Sequence, residues 1–79
     1  MYLILFGNDK AFLVKSFYID NEIIHFSEYL EIKRQYDYCK KDILSLFNIS
    51  LFTKSEYVIP LNIAGNKTYI QQFNQYEKL

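Results

Sequence analysis

Two runs of apolar side chains open the chain, Tyr2 to Phe6 and Ala11 to Ile19, and Gly7-Asn8-Asp9 separates them. Short runs rich in aromatic and branched residues, bounded by turn formers, predict strands. Asp20-Asn21 follows, and both residues tolerate the left-handed backbone of a tight hairpin, so Glu22 to Phe26 is expected to return as a third strand. Together these segments predict an antiparallel meander. Its faces are unusual. Phe12, Val14, Ser16 and Tyr18 share one side of the second strand, and Ala11, Leu13, Lys15, Phe17 and Ile19 share the other. Tyr2, Ile4 and Phe6 likewise oppose Leu3 and Leu5. A half-solvated sheet alternates apolar with polar, and this one does not, so both faces require cover.

From Ser27 the period changes. Ile32, Tyr36, Cys39, Ile43, Leu46 and Phe47 fall within an arc of roughly 100° on a helical wheel, and Tyr29 joins the same stripe. Ser27 is suited to an N-cap, and Glu28 and Glu31 lie where the helix dipole favours anions. A long amphipathic helix is therefore expected from Ser27 to Phe47 or Asn48. Beyond it, Glu56 to Ile63 reads as a strand that Pro60 confines to an edge or makes irregular. Ala64-Gly65-Asn66-Lys67 can turn a hairpin into Thr68 to Phe73, although Tyr69, Ile70, Phe73 and Tyr76 also recur at helical spacing. The fold class that results is α+β in one domain spanning residues 1–79: a three-stranded meander, one long helix, then a short C-terminal strand or hairpin.

Composition narrows the classes of function. Nine cations balance nine anions, so no overall field draws the chain to a polyanion. The charge is segregated, with Asp20, Glu22, Glu28 and Glu31 followed by Lys33, Arg34, Lys40 and Lys41 around Asp37. Such a dipolar layout suits complementarity to a specific partner. A single cysteine excludes an internal disulfide and a cysteine-based metal cage. No apolar run reaches the length of a membrane span, and the N-terminus does not read as a signal peptide, so no membrane is expected and the expected location is the cytosol, that of a host cell if the gene is viral. Ile, Lys, Asn, Tyr and Phe make up half of the chain. That bias matches AT-rich coding DNA, common in small genes of phages and mobile elements.

No catalytic or cofactor set stands out. Cys39 lies inside the predicted apolar stripe, where a free cysteine behaves as a small core residue, and Lys40 projects away from it. His25 is the only histidine and has no partner at a recognised zinc or triad spacing. Asp37 can pair with Lys33 and Lys41 along a helix. Two distant glycines cannot form a phosphate-cradling loop. Eight Tyr and seven Phe, more than one small core readily hides, point instead to an interface.

The expected function is a non-enzymatic protein-binding module without cofactors or metal. A small phage or mobile-element accessory protein that inhibits a host defence protein by stoichiometric binding fits this description. Candidate partner-binding residues are Lys33, Arg34, Tyr38, Lys40, Lys41 and Leu44 around the helix, with Phe12, Val14 and Tyr18 on the uncovered sheet face. A homodimer is a further possibility for that face. The alternative is a nucleic-acid-binding regulator using the basic strip, doubled across a homodimer.

Overall fold

The computed structural model describes residues 1–7, 9–33, 40–49 and 51–73. Its architecture is a curled antiparallel sheet carrying one short helix, so the α+β expectation with a long helix is overturned. Strand β1 (Tyr2–Phe6) pairs with β2 (Lys10–Val14), β3 is Tyr18–Asp20, and β4 is the long strand Ile23–Lys33. Helix α1 (Lys40–Ile49) precedes β5 (Thr53–Pro60), and the two-residue strands β6 (Asn62–Ile63) and β7 (Asn66–Lys67) lead to β8 (Tyr69–Gln72). The sheet runs β3-β4-β2-β1-β8, with β5 on β4.

The pairings Lys10↔Lys33 to Val14↔Tyr29 and Tyr18↔His25 to Asp20↔Ile23 keep one offset. β2 and β3 are therefore a single strand interrupted at residues 15–17, lying against β4. Asn21 and Glu22 close it with φ of 51° and 61°, the primed hairpin turn that matches strand twist. Ala64 and Gly65 close β6 on β7 in the same manner, with φ of 49° and 83°. Thr68 extends this hairpin by one pair: its amide donates to the Leu61 carbonyl at 2.9 Å, and its hydroxyl donates to the Pro60 carbonyl at 3.0 Å.

Two cores result, one on each side of the sheet. The first lies inside the curl and packs Ile4, Phe12, Val14, Ile24, Phe26 and Ile59, with Tyr29 and Tyr57 against them. Phe12 centres a ring cluster, 5.4 Å from Phe26, 5.9 Å from Tyr29 and 4.9 Å from Tyr57. The second packs Leu3, Ala11 and Leu13 under Ile43 of α1, with Phe73, Leu30 and Ile32. Burying each large side chain contributes about 1.5–3 kcal/mol of transfer free energy.

Over β1 and β2 the doubly apolar meander is thus covered on both faces, by the curl on one and by α1 on the other, while Tyr18 and Ile19 of β3 stay exposed. Phe12 and Val14 are fully buried, so neither can meet a partner on an open face as expected. The predicted helix begins in the wrong place for the same reason. Tyr29 turns into the first core while Leu30 and Ile32 turn into the second, so two apolar neighbours interrupt the alternation that Leu30-Glu31-Ile32-Lys33 resumes. Ser27 and Glu28 lie within β4 and cap nothing. Residues 68–73, ambiguous in sequence, include β8, which pairs with β1.

Candidate functional site

Beyond the interruption, β3, the first half of β4 and the end of β5 form a lobe with an outward face. Register places Tyr18, His25 and Val58 in one row and Asp20, Ile23 and Pro60 in the next. Ile24 and Ile59, which alternate with them, are buried in the first core. The outward face is apolar but solvated, with Tyr18 59% exposed, Val58 50% and Ile23 37%. His25 stacks parallel on Tyr18, with ring centroids 4.6 Å apart and planes 1° apart.

A pocket of about 330 Å³ opens beside this stack, lined by Ser16, Phe17, Tyr18, His25, Phe26, Ser27 and Glu56. Its cause is a coincidence of two irregularities on either flank of β4. On one flank the strand is interrupted at residues 15–17; on the other, the β4–β5 register shifts between Phe26 and Glu28. Ser27 therefore faces Ser16 on one side and the bulged pair Ser55-Glu56 on the other. Phe17 and Phe26 belong to both the pocket wall and the first core. His25 Nδ1 is enclosed and lacks a hydrogen-bond partner among the described residues. The Glu56 carboxylate is the nearest charged group, its Oε1 3.9 Å from Nδ1, beyond hydrogen-bonding distance.

Charge around the lobe is acidic. Glu28 pairs with Lys15 at 2.9 Å, and Glu31 lies 4.0 Å from Lys10. The Lys15 hydrogen bond and charge, with a smaller contribution from Lys54, hold the Glu28 carboxyl below its ordinary value of 4.5 against a desolvation cost. Asp20 and Glu22 at the hairpin tip have no ion-pair partner among the described residues, and Glu56 has only the neighbouring imidazole.

Of the residues singled out in sequence, Tyr18 alone joins this face. Lys33 ends β4 and is exposed, and Lys41 is exposed on α1, where Leu44 is buried. Lys40 opens the helix, and Arg34, Tyr38 and Cys39 lie outside the described residues. Ile23, Glu56 and Val58 were not anticipated, and His25 was weighed in the sequence only for metal and triad chemistry. The signal available for them was the alternation of Ile23 and His25 with Ile24 and Phe26. Among the described residues no cluster of three or more His, Cys, Asp or Glu is placed to hold a metal ion, and no helix is long and apolar enough to cross a membrane. No protein-family model, curated protein or solved structure matches the chain.

Proposed function

We propose that the chain is a non-enzymatic protein-binding module that contacts its partner through the outward face of the β3–β4–β5 lobe. The observation that carries this reading is the solvated patch of Tyr18, Ile23 and Val58 across two adjacent rows of a register-defined surface. Apolar side chains held outward together, rimmed by charge, characterise recognition surfaces. Stoichiometric occupancy of a host protein, as by a small phage or mobile-element accessory protein, needs only such a surface. The nucleic-acid alternative gains nothing from this face, because Asp20, Glu22 and Glu56 repel phosphate.

The test is affinity capture from a native host lysate with the wild type, Val58→Glu and Lys41→Glu, followed by titration of the purified captured protein. A one-to-one protein complex lost with Val58→Glu and retained with Lys41→Glu supports the reading. A complex indifferent to Val58→Glu, or a nucleic acid in place of a protein, contradicts it.

A further inference from the structure

We infer that the pocket between Tyr18, His25 and Glu56 is the seat of an arginine side chain presented by the protein partner. This rests on the binding reading above and deepens it by naming the anchor. Three features of the pocket select the ligand chemistry. Its walls are aromatic, from Phe17, Tyr18 and Phe26. Its polar groups include acceptors: the Glu56 carboxylate, the Ser16 and Ser27 hydroxyls, and the enclosed Nδ1 of His25, which accepts in the tautomer carrying its proton on Nε2. Its surroundings are negative, with Asp20 and Glu22 uncompensated among the described residues and Glu56 at the mouth, 73% exposed.

An arginine meets all three. Its planar guanidinium packs on aromatic rings, its five N–H groups serve several acceptors at once, and its charge is fixed. Glu56 offers two oxygens for a paired hydrogen bond, and the 3.9 Å gap between Oε1 and Nδ1 leaves both atoms open to a shared donor group. Other anchors fit less well. A leucine or phenylalanine would leave Nδ1 and the serine hydroxyls enclosed without partners, which is costly. A lysine carries the charge without the plane. A phosphate or carboxylate meets Glu56 head on. The volume, about 330 Å³, suits one side chain and lies at the lower limit of small-ligand pockets.

The experiment is an NMR titration of the isotope-labelled full chain with N-acetyl-arginine amide and with its neutral counterpart N-acetyl-citrulline amide. The arginine probe is expected to produce saturable shifts at Tyr18, His25, Ser27 and Glu56, with a dissociation constant of about 1–10 mM for an isolated side chain. Citrulline is expected to bind about threefold or more weakly, and Glu56→Gln is expected to abolish that difference. Absence of saturable shifts at these residues overturns the inference, as does equal affinity for the two probes or an arginine preference that survives Glu56→Gln. A partner complex sensitive to Val58→Glu, together with failure of the arginine probe, removes this anchor and leaves the binding face standing.

Discussion

At the residue scale, a few side chains carry disproportionate weight. Phe12 is fully buried and touches three other rings, so Phe12→Ala leaves a void that those neighbours on β4 and β5 cannot close. A loss of about 3–5 kcal/mol is expected in denaturant unfolding. Glu22 holds a left-handed backbone that costs a side-chain-bearing residue strain, while its carbonyl accepts from the Leu61 amide. Glu22→Gly keeps that bond and relieves the strain, and thermal melts should show a modest gain in stability. Glu28 supplies a pH signature. Its carboxyl is depressed in the folded state, so its stabilising contribution is complete above the ordinary value of 4.5 and is lost as pH falls through the lowered value. The melting temperatures of wild type and Glu28→Gln should therefore converge on acidification from about pH 7 to about pH 3. A constant gap across that range contradicts the assigned role of the Lys15–Glu28 pair.

At the element scale, the edge strand β5 carries features that oppose edge-to-edge pairing. β5 has only β4 as a partner, yet it carries Lys54 and Glu56, a register shift and a terminal proline, each a known obstacle to edge-to-edge growth. Pro60 was readable as an edge signal in the sequence, and so was the first strand; the hairpin turn was readable too, but lies one residue later than expected, at Asn21-Glu22. The identity of residues 27–33 was not. Leu30-Glu31-Ile32-Lys33 does alternate, but Tyr29 beside Leu30 and the register shift at Ser27 break the pattern, and Tyr29, Ile32, Tyr36 and Cys39 happen to fall at helical spacing. Local periodicity cannot separate these cases, because the deciding fact is the curl, which closes one core over Phe12 while α1 closes the other. Ile43 confirms the second cover: it is fully buried, and Ile43→Ala should cost about 2–5 kcal/mol by freeing α1 from Leu3 and Leu13.

At the scale of the whole molecule, the aromatic surplus that pointed to an interface is mostly turned inward among the described residues, where only Tyr18 and Tyr69 are exposed. Phe12, Phe26, Tyr29 and Tyr57 form one ring cluster, and Tyr2 meets Phe17 edge-on at 4.8 Å. Ile19, Leu51, Ile63 and Tyr69 stay outside singly, and the lobe groups its exposed apolar side chains: Tyr18 stacked on His25, Ile23 and Val58 beside it, next to an acidic pocket. Sequence exposed Tyr18 as a candidate, but it could not locate Glu56 and Val58 next to it, since their approach depends on the β4–β5 register and its shift at Ser27. The acidic run from Asp20 to Glu31 was visible early. In the fold Lys15 and Lys10 sit beside Glu28 and Glu31, which leaves the hairpin tip negative.

The most direct test of the binding face is its footprint in a complex. Amide spectra of the labelled chain, recorded with and without the captured partner, should change at residues 18–25 and 56–60 and stay fixed at Lys41 to Ser45 on the helix. Changes centred on the helix, with residues 18–25 and 56–60 untouched, would contradict the account.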